Sequence, residues 1–101
     1  MYDMAKLKNL GAIEKMVPDA MKAFWEFDKA ALAEGALSVK TKELIAVAVA
    51  HTTQCPYCLD IHAKAARKAG ATDQEIAEAA IVAAALRAGA AIVHATHVVE
   101  G

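Results

Sequence analysis

Cysteine is scarce in this chain: there are two, Cys55 and Cys58, three positions apart. So few thiols exclude a small secreted scaffold stapled by several bridges. The N-terminus, Met-Tyr-Asp-Met-Ala-Lys, lacks the charged-then-apolar pattern of a secretory signal. The pair is therefore expected to do redox or metal chemistry in a reducing cytoplasm. An excess of one charge is missing too. Eleven Lys and Arg against twelve Asp and Glu give a formal net charge of −1, which offers no basic footprint to nucleic acid or to an anionic membrane surface. The apolar run Leu44 to Ala50 falls far short of the roughly 20 residues that span a bilayer. No linker divides the chain, so residues 1–101 are expected to form one domain.

What the chain has in abundance is apolar residues, at 57%, many of them alanine. Alanine lets helices approach closely but gives each residue little area to bury. At a length near the lower limit for an independent core, such a chain is expected to bury further surface against copies of itself.

The periodicity is helical throughout, and no strand is expected. Leu7, Leu10, Ile13 and Val17 recur at helical spacing in a weak N-terminal helix over 1–17, interrupted by Gly11. Pro18 suits the first turn of a second helix that carries Met21, Phe24, Trp25 and Leu32 and ends near Gly35. The aromatic residues from Phe24 to Phe27 read as core or interface anchors, with a substrate-pocket wall as the alternative. Ser38 is a good N-cap for a third helix over Val39 to Thr53. That helix is apolar on most faces and so must be central, which makes Glu43 near its start unusual. A fourth helix starts at Cys55 and Pro56 and ends at Gly70, a natural left-handed stop. Thr72 and Glu75 form a capping-box pattern that opens a long helix from Asp73 to about Val98.

The fourth helix carries the chemistry, in the run Cys55-Pro56-Tyr57-Cys58-Leu59-Asp60-Ile61-His62. Spacings of three and four put both thiols and the imidazole on one side of a helix. Unpaired N–H groups and the dipole at a helix N-terminus favour thiolate over thiol. A helical i, i+3 pair also meets the Cα separation of a disulfide, so the pair could open and close with little backbone movement. His62, one turn beyond Cys58, could take its proton, and a carboxylate is the usual partner that orients such an imidazole. Glu43 is the best candidate, because antiparallel packing of the third and fourth helices would bring it level with His62.

Zinc is the main alternative, with Cys55, Cys58 and His62 as ligands and Glu43 or His51 as a fourth. A second cysteine pair, which structural zinc sites usually bring, is missing, so no metal and no cofactor are expected. His94 and His97 offer a further pair of metal donors, although their place near a helix C-terminus suits the dipole alone. His51 is assigned a supporting role behind the site. Tyr57 faces away from the cysteine stripe and is expected to shape access or contact a partner.

The run Lys42-Glu43-Leu44-Ile45-Ala46-Val47, the Cys55–His62 stretch, Ala65 to Gly70 and the Glu75-Ile76 helix start together resemble the alkylhydroperoxidase D-like branch of the carboxymuconolactone decarboxylase family. The resemblance covers roughly residues 20–98. It implies a compact all-α domain that assembles as trimers or hexamers, with an antiparallel helix pair holding the site. It further implies that Glu43 is the base of a proton relay, His62 passes the proton, Cys58 is the thiolate that attacks a hydroperoxide, and Cys55 resolves the product as a disulfide. The electrons would come from a dithiol donor or a partner redox protein. In the best-studied branch a histidine precedes the second cysteine; here Tyr57 stands there. Analogy with thioredoxin-like CxxC sites would make Cys55 the attacking thiol, whereas the relay favours Cys58. Lactone decarboxylation, and a redox-sensing oligomer without turnover, are the competing functions.

Overall fold

The computed structural model describes residues 3–101; Met1 and Tyr2, the start of the expected N-terminal helix, lie outside the described residues. The elements are a 3₁₀ helix Met4–Asn9, α1 Leu10–Met16, α2 Pro18–Leu32, α3 Val39–Thr53, α4 Pro56–Lys68, α5 Asp73–His94 and a closing 3₁₀ helix Ala95–His97. Among the described residues there is no strand, so the fold is all-α.

Local chemistry explains the boundaries. Pro18 and Pro56 occupy first-turn positions, where the missing N–H costs nothing. The Ser38 side chain accepts from the Thr41 N–H to open α3, and Gln54, in the left-handed region at φ 55°, ends it. Gly70 at φ 100° terminates α4, a conformation that a side chain would strain. The Thr72–Glu75 capping box opens α5. Lys40 bonds the same Glu75 carboxylate at 2.8 Å and, with the Thr72 N–H, holds its carboxyl below the usual range.

Three expected boundaries are corrected. The N-terminal helix is two pieces, a 3₁₀ helix capped by the Asp3 carboxylate and then α1, with Gly11 inside α1. Helix α2 stops at Leu32, short of Gly35. The last regular helix ends at His94 and tightens into a 3₁₀ turn, where the His94 and His97 rings stack edge-on with centroids 5.0 Å apart.

Helix α3 lies at the centre, packed against α4 and α5. Its early residues show how. Successive residues on a helix point about 100° apart. Lys40, Lys42 and Glu43 therefore diverge, and they bond to Glu75 of α5, to the backbone end of α2 and to His62 of α4 respectively. Val47, Ala50, Ala66 and Ala83 are buried where these helices meet.

Helices α1 and α2 bury no residue. Phe24, Trp25 and Phe27 are exposed, which corrects the expectation that they are core within the single chain. Ile81, Leu86, Ile92 and Val93 likewise leave much of α5 uncovered. The Cα radius of gyration, 16.8 Å, exceeds the about 13 Å of a compact chain of this length. The stretch that bears comparison with a bilayer is in α5, not Leu44 to Ala50. Asp73–His97 contains an 18-residue stretch of mean hydropathy 1.9 and is long and apolar enough to cross a membrane by length and composition alone. Arg87 stands in its middle and donates to the Thr52 carbonyl at 2.7 Å, tying α5 to the end of α3.

Candidate active site

A two-residue connection, Gln54 and Cys55, folds α4 back along α3. The Cys55 N–H reaches the Ala50 carbonyl at 3.1 Å, which fixes the turn. Cys55 is the N-cap of α4, and its Sγ accepts the Cys58 N–H at 3.2 Å. Cys55 and Cys58 form a disulfide across Cα atoms 5.3 Å apart. Both sulfurs thus sit at the positive end of the α4 dipole, with a backbone donor aimed at one of them.

The packing of α3 on α4 brings Glu43 and His62 together. His62 Nδ1–H donates to Glu43 Oε2 at 2.7 Å. Glu43 is 6% exposed, buried behind the imidazole. Because a carboxylate can only accept, this bond puts the neutral ring's proton on Nδ1 and leaves Nε2 as the acceptor. Glu43 falls just past the first turn of α3, so its placement serves His62 more than the N-terminus of its own helix.

Cys58 and His62 line one cavity of about 310 Å³. Ala31 and Leu32 of α2 form one side. Two adjacent i, i+4 rows of α3, Lys42-Ala46-Ala50 and Ile45-Val49-Thr53, form another. The lining is largely apolar; besides Cys58 it carries the His62 imidazole and the Lys42 side chain. Trp25 lines a separate cavity with Pro18 and Met21, away from the cysteines.

The remaining candidates fall elsewhere. His51 Nδ1 is bonded to the Val47 carbonyl at 2.8 Å, one turn back on its own helix, and does not line the Cys58 cavity. The Tyr57 hydroxyl accepts from the Asp3 N–H at 3.1 Å, so this residue between the cysteines meets the N-terminal segment. Among the described residues, no group of three or more His, Cys, Asp or Glu side chains is arranged to hold a metal ion. The sequence reading missed Lys42, Leu32, Ile45 and Val49 as cavity residues. The two i, i+4 rows on α3 were the available signal.

The site is a Cys55–Cys58 disulfide at a helix N-terminus, with a carboxylate–imidazole pair on the same helix pair, in an all-helical domain. The model of the carboxymuconolactone decarboxylase family matches residues 18–101, and the chain belongs to that family. It is 58% identical over 73 residues to the uncharacterised protein 4 of the cox locus of Paracoccus denitrificans, covering 72% of this chain and 66% of that one. It is 42% identical over 59 residues to an uncharacterised protein of Haemophilus influenzae, covering 58% and 52%. The chain thus spans between about half and two thirds of the length of these relatives. Among solved structures, a protein from Methanobacterium thermoautotrophicum superposes with a TM-score of 0.82 at 38% identity, over 87% of this chain and 99% of that one. An apo carboxymuconolactone decarboxylase family protein from Legionella pneumophila gives 0.76 at 36% identity, over 89% and 80%.

Proposed function

We propose that the protein is a thiol-dependent peroxidase that reduces organic hydroperoxides by cycling Cys55 and Cys58 between dithiol and disulfide. The observation that carries this reading is the 2.7 Å bond that His62 donates to a buried carboxylate, its ring sharing an apolar cavity with Cys58. Glu43 acts through His62: it holds the tautomer and stabilises the imidazolium that forms when Nε2 takes the Cys58 proton, directly or through water.

The Cys58 thiolate then attacks the terminal oxygen of the hydroperoxide. The S–O bond forms as the O–O bond breaks, and the departing alkoxide takes the proton held by His62 to leave as an alcohol. Cys58 is now a sulfenic acid. The Cys55 thiol attacks it, the S–S bond forms and water leaves. An external dithiol returns two electrons by thiol–disulfide exchange and is itself oxidised to a disulfide. The Cys58 N–H, donated to Cys55 Sγ, favours negative charge on that sulfur during exchange. Such a cycle needs a reducing compartment, so the cytoplasm is the proposed setting.

The test is hydroperoxide consumption driven by dithiothreitol, with one alcohol formed per dithiol oxidised. No turnover, together with decarboxylation of a muconolactone, would turn the reading to the competing family chemistry. Disulfide-dependent changes in assembly without turnover would turn it to a redox sensor.

A homo-oligomer, a trimer or hexamer, is part of the same proposal. Its support is the uncovered apolar surface of α5 and the exposed aromatics of α2. Leu86, 63% exposed on α5, does not line the Cys58 cavity, so Leu86→Glu is expected to convert the assembly to monomers without touching that site. Sedimentation velocity without detergent checks this. A wild-type monomer, or partition of the wild type into lipid vesicles, contradicts it.

A further inference from the structure

We propose that Lys42 is the positioning residue that sets how tightly the cavity grips the organic group of its ligand, because it pins the end of α2 above the thiol. The kinetic part rests on the peroxidase reading; the binding part does not.

Helix α2 supplies a wall of the cavity through Ala31 and Leu32, yet it buries none of its residues and meets α3 only slightly. Within one chain, apolar packing therefore holds that wall only weakly. The carbonyls of a helix's last turn lack partners within the helix. In α2 they are met from outside: Lys42 Nζ donates to the Ala31 carbonyl at 3.0 Å and to the Ala33 carbonyl at 2.5 Å. The ammonium sits at the negative end of the α2 dipole, and both bonds are charge-assisted. The chain leaving α2 wraps the same group. Ala33 turns to extended backbone, the Gly35 N–H closes onto the Leu37 carbonyl at 3.1 Å, and a Cβ added at Gly35 would stand 3.8 Å from Nζ.

Lys42 thereby does two things from one position on α3. It lines the cavity, and its ammonium fixes the facing wall. Its neighbour Glu43 points to the other side, onto His62. Adjacent residues of one helix divide the labour: Glu43 governs the proton and Lys42 the room beside the sulfur.

The experiment compares the wild type with Lys42→Met, which keeps an apolar stem of similar length without the donors, and with Lys42→Arg, which restores them. The probe is cumyl alcohol, the product expected from cumene hydroperoxide, titrated calorimetrically into the disulfide form so that no turnover is needed. Lys42→Met is expected to weaken binding about tenfold, as the loss of charge-assisted bonds at a wall allows, and Lys42→Arg to recover most of it. Amide exchange of residues 29–33 in Lys42→Met is expected to quicken by about tenfold, while that of α4 keeps its protection. In turnover, the loss for cumene hydroperoxide falls on KM more than on kcat, and hydrogen peroxide, which has no organic group, loses less. Unchanged binding in Lys42→Met, no binding by the wild type, or no recovery in Lys42→Arg overturns the proposal. A wild type that binds the alcohol in this Lys42-dependent way but consumes no peroxide keeps the pin and removes the peroxidase reading.

Discussion

Cys58→Ser is expected to reduce hydroperoxide turnover to the uncatalysed background. The cavity holds one sulfur beside His62, that of Cys58, and a serine hydroxyl there is not ionised at neutral pH. Cys55→Ser is expected to behave differently. Its Cys58 still attacks, so with one equivalent of hydroperoxide and no added dithiol it reacts once and stops, with one added oxygen atom on Cys58 that mass spectrometry locates. The two variants thus separate attack from resolution. If Cys58→Ser instead carries the oxygen on Cys55, the roles are reversed. The Cys58 N–H donated to Cys55 Sγ makes that outcome a real competitor, because it favours thiolate at the first cysteine as in thioredoxin-like sites. Shared lining of one cavity by Cys58 and His62 favours the second.

Glu43→Gln is expected to lower kcat/KM by about 100-fold, the range of a lost general acid–base contribution. The amide oxygen can still accept from His62 Nδ1–H, so the ring keeps its place and its tautomer. What disappears is the negative charge behind an imidazole that must become positive as the thiol ionises. Burial magnifies the loss, since Glu43 is 6% exposed and water cannot replace the charge. The thermal midpoint of Glu43→Gln should stay near that of the wild type, because the hydrogen bond survives. Glu43→Ala should lose both activity and stability, the latter by about 1–3 kcal/mol for an unpartnered buried group. Activity in Glu43→Gln within about twofold of the wild type would remove the relay from the mechanism.

Much of this site was legible because its parts follow local rules. Cysteine spacing, Pro56 in a first turn and His62 one turn past Cys58 are readable without tertiary knowledge. The pairing of Glu43 with His62 required one further step, folding α3 and α4 back on each other at a tight connection. The apolar wall was harder. Ile45 and Val49 look like core residues in a run from Leu44 to Ala50, yet both stay about half exposed beside the cavity. Lys42 was illegible for a different reason. A lysine in an early helical turn reads as a solvated charge, and only the three-dimensional position of α2 turns it into the cap of another helix. The end of α2 is hidden in the same way, because no Gly or Pro near Leu32 announces a stop before Gly35. The start of α5 at Asp73 was legible in the Thr72–Glu75 capping box, whereas its tightening into a 3₁₀ turn after His94 was not, because no Gly or Pro marks that end.

The most direct test of the central claim is a single-turnover reaction: fully reduced protein mixed with one equivalent of cumene hydroperoxide, followed by free-thiol count and by mapping of the product disulfide. The account predicts loss of both thiols, one Cys55–Cys58 bond and one cumyl alcohol per chain, at a rate at least about tenfold above that of free dithiothreitol, as expected for a thiol activated by a helix N-terminus and a general base. Thiols that survive, or that react no faster than the free dithiol, would contradict it.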